Sequence, residues 1–512
     1  MQAQPHSEPS ANRRSVLVVR IVTAGIALGF VLLAVVDTPV LQGGSSVGWF
    51  DALLFAGAVC LGALCFAPLS WNQNALTLVI SVGLSLALAE FVLRGTLGPR
   101  FFPPFQRNDR VLYRLTPNAE RYYVMPAING GAVIRYKINS QGFRNVELAR
   151  PGESTRVLVY GDSFIEGYFS RTEETFAEQL KGRLARKIGG RIEVVNAGVA
   201  GYGPDQELRR MEEELPTLRS NLVIVAIYAG NDFGDLLRHK LYRLSSDGSL
   251  QDNLSESLDS AIAGAMQRSR SEPILRKIVR AAIGRLFGSP GDAFVSGREA
   301  RRARVDADLK EGIDEYRQYV IEGDNAVHYL MGGPYDADVS LTPTSESARY
   351  KIAMMEQIMR RMGETAAKND VALVFVLIPS PIDAGYLHES GEVDPVKYPE
   401  YERSTLTDIL EQICQRNGFR AVNLFGPFWE RRADALYLKG LDDHWNARGQ
   451  AYAAELVSEF LSAQHLLRGP SRDTRAEAPS GGVPRNNPQR FSRVSRATGC
   501  VRHSRAPCVG IR

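Results

Sequence analysis

Three apolar runs in the first hundred residues constrain the fold of this chain more than any other feature of its sequence. They span about 21–36 (extendable back to 16 around Arg20), 52–69 and 75–93. Each approaches the roughly 20 residues that a helix needs to cross about 30 Å of hydrocarbon. A cleaved signal peptide explains one run but not three, and three nearly charge-free runs are unusual for buried helices of a soluble domain. We therefore predict a transmembrane segment of about three helices over 1–100.

The placement of arginine predicts the orientation of this segment. Three arginines precede or begin the first run, whereas the loops 37–51 and 70–74 contain no Lys or Arg. Positive residues favour the cytoplasmic side, so three crossings would place the rest of the chain outside the cytoplasm. Four arginines between 94 and 110 favour the opposite orientation, although a large translocated domain weakens this rule. The prediction is a multi-pass protein of the cell (inner) membrane with a periplasmic, or otherwise extracytoplasmic, main domain.

Short apolar strands alternate with amphipathic helices from about 151 onward. Strands are predicted at 157–160, 192–196, 222–228, 372–378 and 421–424. Helices are predicted near 173–188, 204–215, 346–368, 400–417 and 447–461. This alternation is typical of a parallel sheet with helices on both faces, and it predicts an α/β domain over 151–468.

The remaining segments are predicted to flank or interrupt this domain. Residues 101–150 read as a linker and lead-in strands: the stiff stretch 101–105 (FFPPF) comes first, and 132–143 alternates like a strand before a turn at Gly142. The stretch of about 236–345 is too long for a simple connection and is predicted to be an insertion with helices beside the sheet. Its cationic amphipathic part, 274–287, either packs on the domain, which we favour, or contacts the membrane surface.

Charge is unevenly distributed along the chain. The formal net charge is +4, but the last 45 residues hold ten Arg against two acidic residues and so carry +8, which leaves −4 for the rest. An acidic body is unlike a nucleic-acid binder, and the polar tail 469–512 is predicted to be disordered. The five cysteines form no pattern with zinc spacing and no disulfide framework, so we expect no metal.

Residues suited to acyl transfer follow the predicted strands, which is where a parallel sheet binds its ligands. The chemistry needs a nucleophile, a base and a group that orients the base. Ser163 follows the first strand and fits as the nucleophile, and His444 precedes the last helix and fits as the base. Asp442 fits as the orienting acid, because alternate residues of an extended segment share a face, although the adjacent Asp443 is the alternative.

Donors for the developing oxyanion are also present at these loop ends. The backbone N–H groups of Ser163 and Gly201 and the side-chain amide of Asn231 are the candidates, and Gly198 competes with Gly201. Glycine suits this position because a chain turning beside a substrate has no room for a Cβ.

Together these blocks resemble the SGNH (GDSL-type) hydrolase family. Residues 161–164 (GDSF) match its serine block, Gly201 the glycine block, 230–232 (GND) the asparagine block, and Asp442 with His444 the last block. The stretch 137–145 (KINSQGFRN) is similar to the lead-in of bacterial membrane-linked members. The resemblance covers about 156–461 apart from the insertion. It implies a flavodoxin-like three-layer α/β/α sandwich with a five-stranded parallel sheet, and ester hydrolysis or acyl transfer without metal or organic cofactor.

The last block departs from the commonest form of the family. Many members carry Asp three residues before His, where this chain has Leu441. The pattern here is Asp-x-His, as in some polysaccharide acetyl-modifying relatives. The assignment of Asp442 depends on that resemblance more than the assignment of His444 does.

Each block taken alone also has a purely structural explanation. Gly-Asp-Ser and Gly-Asn-Asp are common in turns, and Asn446 fits as the N-cap of the last helix. Three further histidines have no suitably spaced partner and are predicted to be solvated or structural: His239, His328 and His388. The order of all four blocks, each at a predicted strand end, favours catalysis.

The expected function is a serine esterase acting on acyl esters, O-acetyl esters in particular, of envelope or extracellular glycans. The first alternative is an O-acyltransferase that passes the group to a polysaccharide, with its donor supplied by a membrane partner protein. The second is a non-catalytic membrane scaffold or glycan-binding module. The expected partners are an acylated carbohydrate or small ester and membrane lipid, with no nucleic acid.

Overall fold

The computed structural model describes residues 10–35, 49–96, 105–125, 127–253, 275, 297–323, 333–385, 391–440 and 443–467. Three helices come first: α1 (Ser10–Val35), α2 (Trp49–Leu64) and α3 (Leu69–Thr96). By length and composition, two stretches can cross a membrane, Arg14–Leu32 and Leu69–Thr96. Helix α2 has only 16 residues and is too short to meet the same test. Within the described residues, each of the three apolar runs is mostly helical, and two of the helices are long enough to span.

Two β-hairpins lead from the helices to the α/β domain. The first pairs β1 (Phe105–Asn108) with β2 (Leu112–Leu115), and the second pairs β3 (Glu120–Val124) with β4 (Val133–Lys137). The strand predicted within 132–143 is β4, and the expected turn has Gly142 at φ +86°. Most of the stiff stretch 101–105 lies outside the described residues.

A five-stranded parallel sheet forms the centre of the domain. Its strands are β5 (Thr155–Tyr160), β6 (Ile192–Asn196), β7 (Leu222–Tyr228), β10 (Ala372–Ile378) and β11 (Arg420–Asn423). They lie in the order β6-β5-β7-β10-β11, and every pairing is parallel. This is the flavodoxin-like order, so the predicted fold class is confirmed. All seven residues of β7 are buried, as expected for a central strand covered on both faces.

Helices cover both faces of this sheet. On one face lie α6 (Pro204–Leu218), α10 (Glu346–Lys368) and α12 (Thr405–Arg416), and the other carries α5 (Phe176–Ile188), α13 (Phe425–Glu430) and α14 (Ala447–Ala463). Alternate strand residues divide between the two cores: Leu158 packs with the first set and Val157 with the second. The predicted three layers are therefore present.

The region predicted as an insertion contains helices and a small hairpin. Helix α7 (Asp232–His239) is followed by β8 (Tyr242–Leu244) and β9 (Leu250–Asp252), and later by α8 (Arg298–Tyr316), a π-helical turn (Arg317–Ile321) and α9 (Ala337–Leu341). The cationic stretch 274–287, apart from residue 275, lies outside the described residues, as does the tail after 467.

Candidate active site

Ser163 lies at the carboxyl end of β5, in the middle of the sheet. It begins the one-turn helix α4 (Ser163–Glu166), and Asp162 caps that helix by accepting a hydrogen bond of 2.8 Å from the Phe164 N–H. A Cβ on Gly161 would overlap the side chain of Ile165, so glycine lets the helix fold tightly against the strand end. Ser163 stays half-buried while its neighbours are buried.

His444 is held by a narrow turn that ends at α14. Leu438 N–H donates to the His444 carbonyl at 2.8 Å, and Tyr437 and Trp445 form an antiparallel bridge. Asn446 then caps α14 by accepting from the N–H groups of Arg448 and Gly449, as predicted. This turn places His444 Nε2 2.6 Å from Ser163 Oγ, a hydrogen-bonding distance, across 281 residues of sequence.

Aromatic rings fix the plane of the imidazole. Phe164 stacks on His444 with centroids 5.1 Å apart at 24°, and Phe169 contacts it at 4.7 Å and 59°. Sequence reasoning missed Phe169, since no pattern distinguishes it from a core aromatic residue.

One carboxylate of the last block lies beside the second nitrogen of the imidazole. Asp443 Oδ1 is 3.3 Å from His444 Nδ1, and Asp443 Oδ2 accepts a hydrogen bond of 2.7 Å from the Tyr228 hydroxyl. An acid at Nδ1 keeps the proton on that nitrogen and leaves Nε2 free to accept from the Ser163 hydroxyl. Asp442, the predicted orienting acid, lies outside the described residues.

Two of the predicted oxyanion donors lie in the loops that follow the two strands beside β5. Gly201, at φ +74°, follows β6, and Asn231 follows β7 as the N-cap of α7; these two strands are the neighbours of β5. Within the described residues, the N–H groups of Ser163 and Gly201 donate to no acceptor. Gly198, the competitor, is already engaged, because its N–H donates to Asn196 Oδ1 at 3.1 Å.

The lead-in motif anchors the loop that follows the nucleophile. Arg144 is buried and donates to the carbonyls of Glu166 (2.8 Å), Gly167 and Ser170 (2.6 Å). Its guanidinium also lies 4.3 Å from the ring centroid of Tyr136, and burial lowers its pKa to about 9. The resemblance of the stretch 137–145 to other proteins did not predict a role for Arg144, which supports the backbone on both sides of Phe169.

Buried carboxyl groups lie behind the nucleophile. Burial raises the pKa of Glu166 to about 8, although its carboxylate accepts from the Ala200 N–H. Burial also raises the pKa of Asp162 to about 7. These groups therefore hold protons at a pH at which exposed carboxyls are ionised.

Of the three further histidines named in the sequence analysis, the structure describes His239, and it lies outside this site. His239 is buried with Nδ1 3.0 Å from Asp205 Oδ1; burial alone would lower its pKa, but the Asp205 carboxylate outweighs this and raises it. That is a structural role. His328 and His388 lie outside the described residues. In the part of the chain that the structure describes, no cluster of three His, Cys, Asp or Glu residues is arranged to hold a metal ion.

Comparison with protein families gives one match. Residues 159–338 match the model of the GDSL-like lipase/acylhydrolase family. That range contains the serine, glycine and asparagine blocks. No protein with a curated description matches the sequence.

Comparison with solved structures gives distant overlaps. A lipase/acylhydrolase from Enterococcus faecalis shares 10% identity (TM-score 0.28; 60% of this chain, 96% of that chain). The psychrotrophic esterase EstA from Pseudoalteromonas sp. shares 12% identity, with a TM-score of 0.30, over 61% of this chain and 99% of that chain. A catalytic mutant of Axe2, an acetylxylan esterase from Geobacillus stearothermophilus, shares 13% identity, with a TM-score of 0.29, over 63% of this chain and 99% of that chain. Likenesses this distant carry no statement about substrate.

Proposed function

Because the chain contains a GDSL-like lipase/acylhydrolase domain, we propose that it is a serine esterase that removes acyl groups, O-acetyl in particular, from an envelope or extracellular glycan. The observation that carries this proposal is the 2.6 Å contact between Ser163 Oγ and His444 Nε2 at the carboxyl end of β5. A nucleophile and a base in hydrogen-bond contact are the minimum that acyl transfer needs.

The proposed reaction has two halves. Ser163 Oγ attacks the ester carbonyl while its proton passes to His444 Nε2; the tetrahedral oxyanion then collapses, the C–O bond to the sugar breaks, and the sugar oxygen takes the proton. Water next attacks the acyl-enzyme with the same base and releases the acid and free Ser163. The N–H groups of Ser163 and Gly201 and the amide of Asn231 are the proposed oxyanion donors.

Asp442 remains the proposed orienting acid. The described alternative, Asp443, has one oxygen engaged by Tyr228, and the other is 3.3 Å from His444 Nδ1. That distance exceeds the roughly 2.7–2.9 Å of a charge-assisted N–H···O bond. Asp443 is therefore better suited to fixing the turn, together with Tyr228.

The proposed location is a membrane, which residues 1–100 enter, with the domain 151–468 outside the cytoplasm. Residues 101–150 form the proposed linker and lead-in, and residues 469–512 form the proposed disordered tail. Helix α3 supports membrane insertion, because it exposes large apolar side chains along its length: Leu78, Leu84, Leu86, Leu88 and Phe91. In water such a surface is unfavourable, whereas lipid solvates it. The hydrogen bond of 2.6 Å from Thr23 Oγ1 to Asn72 Oδ1 joins α1 to α3, and such bonds between helices contribute to their association in lipid.

Acyl transfer is the second candidate for the same site. A cavity of about 530 Å³ beside the His444 turn is large enough for a sugar acceptor. An acceptor hydroxyl there would replace water in the second half-reaction, and a membrane partner protein would supply the donor. Formation of an acylated sugar in competition with free acid would distinguish transfer from hydrolysis.

The nucleophile is tested with the full chain in neutral detergent. Ser163→Ala should lower kcat on p-nitrophenyl acetate by a factor on the order of 10⁶, as expected for loss of a triad nucleophile, and should abolish labelling by a fluorophosphonate. Ser462→Ala is the matched control, since Ser462 Oγ donates to the Ser458 carbonyl within α14. Activity of Ser163→Ala within about tenfold of wild type would refute the assignment. Absence of labelling in wild type would favour a non-catalytic module.

A further inference from the structure

The cavity of about 530 Å³ adjoins the candidate catalytic histidine. It is lined from three directions: by the hairpin β3–β4, by the loop after α4, and by residues within 434–439 and 446–448. Phe169 lies in its wall and also contacts the His444 ring at 4.7 Å. A molecule in this cavity would therefore be in contact with Phe169 and one side chain away from the His444 ring, and the volume is typical of small-ligand sites.

The wall of the cavity is partly built by a segment outside the family match. Met125, Ile128 and Ile134 belong to the second hairpin or its turn, whereas the family model begins at 159. The hairpin is fastened to the His444 turn by one side chain: Asn129 Nδ2 donates to the Lys439 carbonyl at 3.1 Å, and Asn129 Oδ1 accepts from the Lys439 N–H at 2.8 Å. The cavity is thus a feature of this chain and not of the hydrolase core alone.

Three cations line the cavity without charged partners. Arg171, Lys439 and Arg448 contribute to it, and in the described part of the chain their guanidinium and ammonium groups make no hydrogen bond or ion pair. Two acids, Glu174 and Asp434, also line it, so the formal balance is 3 − 2 = +1. Glu174 is already engaged, because its Oε2 accepts from the Arg171 backbone N–H at 3.0 Å.

We propose that this cavity binds an anionic group on the carrier of the acyl ester, the carboxylate of a sugar acid or a phosphate. The inference rests on the proposed esterase function and narrows its substrate class. Guanidinium groups match carboxylate and phosphate in geometry, and an ammonium group adds a compact charge. The apolar wall of Ile128, Ile134 and Phe169 suits the face of a sugar ring. An uncharged acyl chain would gain nothing from three unpaired cations.

Binding measured without turnover tests the proposal separately from the esterase assignment. The Ser163→Ala full chain in neutral detergent is titrated with three acetylated trimers. Trigalacturonate carries carboxylates, a trimer of glycerol phosphate carries phosphates, and xylotriose is neutral. At least one anionic probe should bind about tenfold or more tightly than xylotriose, which corresponds to about 1.4 kcal/mol. The better anionic probe identifies which source of negative charge the cavity takes. The preference should shrink as salt rises.

Charge removal at the rim provides the matched comparison. In the same background, Arg448→Gln and Lys439→Gln should each weaken binding of the better anionic probe by about three- to tenfold and leave xylotriose nearly unaffected. Arg420→Gln is the control, because Arg420 is an exposed cation at the amino end of β11, away from the site. Equal affinity for the charged and neutral probes overturns the proposal. So does an Arg420→Gln variant that loses as much affinity for the anionic probe as Arg448→Gln and Lys439→Gln do. Turnover of the probes by Ser163→Ala within about tenfold of wild type would instead refute Ser163 as the nucleophile.

Discussion

Asp443 is shared between two partners: its Oδ1 lies 3.3 Å from His444 Nδ1, and its Oδ2 accepts a hydrogen bond of 2.7 Å from the Tyr228 hydroxyl. Tyr228 ends the central strand β7, and burial raises its pKa, so the phenol stays neutral and donates. The Asp443 side chain is 38% exposed, so water competes for its contact with the histidine. The turn that carries His444 is therefore attached to the sheet through this carboxylate.

Replacing each acid of the last block in turn decides which one orients the histidine. Asp442→Asn should lower kcat on p-nitrophenyl acetate by up to about 10⁴, because the imidazole would then adopt the wrong tautomer. Asp443→Asn should change kcat little, since the amide oxygen still accepts from Tyr228. Tyr228→Phe is a useful companion that removes the hydrogen bond from the strand to Asp443 and keeps the carboxylate. If Asp443→Asn lowers kcat strongly and Asp442→Asn does not, Asp443 is the orienting acid.

Arg144 should support catalysis through the loop that it holds. Arg144→Met removes one donor from each of three carbonyls. The Glu166 carbonyl keeps the Asn196 amide (3.4 Å) and the Gly167 carbonyl keeps the Ser170 N–H (2.8 Å), so the largest loss falls on the Ser170 carbonyl. A buried acceptor left without a donor costs about 1–3 kcal/mol. We expect a clear fall in Tm and a fall in kcat on p-nitrophenyl acetate, because Phe169 would no longer hold the His444 ring. Both are measured on the full chain in neutral detergent.

Two variants show whether this effect comes from the guanidinium. Arg144→Lys should recover only part of the loss, because one ammonium cannot replace a planar group that reaches three carbonyls. Arg150→Met, at an exposed position in the same lead-in, should leave Tm and kcat near wild type. A stable Arg144→Met protein with normal kcat would show that the loop needs no such support.

The sheet could be predicted from the sequence because its strands are buried on both faces. Continuous apolar runs mark such strands, and 192–196, 222–228 and 372–378 were predicted with the observed bounds. Their order followed only from the family resemblance. The first hairpin, β1–β2, was missed: two strands of four residues with mixed polarity carry no period that a sequence reveals.

The candidate site was only partly visible in the sequence. Ser163 and His444 stood out because acyl transfer demands those side chains, and the fold brings them together across 281 residues. Tyr228 and Phe169 could not be singled out, since each looks like a core aromatic residue until its partner is known. The choice between Asp442 and Asp443 depends on backbone angles within one turn, which residue types alone do not specify.

The orientation of the membrane segment can be tested with fused reporters. The predicted arrangement of three crossings after a cytoplasmic N-terminus places residue 105 outside the cytoplasm. A reporter active only in an oxidising compartment, fused after Phe105, should therefore be active, and one that works only in the cytoplasm should be silent there. Because α2 has only 16 residues, a second pair of fusions between α2 and α3 is needed, where the cytoplasmic reporter should be active if α2 crosses. Activity of the cytoplasmic reporter after Phe105 would mean that only two helices cross.

Glu166 should make the stability of the domain depend on pH. Burial raises its pKa from an ordinary value of 4.5 to about 8, so between those values the folded protein holds a proton that the unfolded chain has released. Its contribution to stability is therefore full below about pH 4.5 and is lost as pH rises through about 8. Glu166→Gln stays neutral throughout, and its amide oxygen can still accept from the Ala200 N–H. The Tm of this variant relative to wild type should rise between about pH 4.5 and about pH 8 (about one proton's linkage) and level off at higher pH, whereas Glu173→Gln, at an exposed position, should give a constant difference. A flat difference for Glu166→Gln would mean that this carboxyl is ionised in the folded protein and that its buried charge is stabilised by the groups around it.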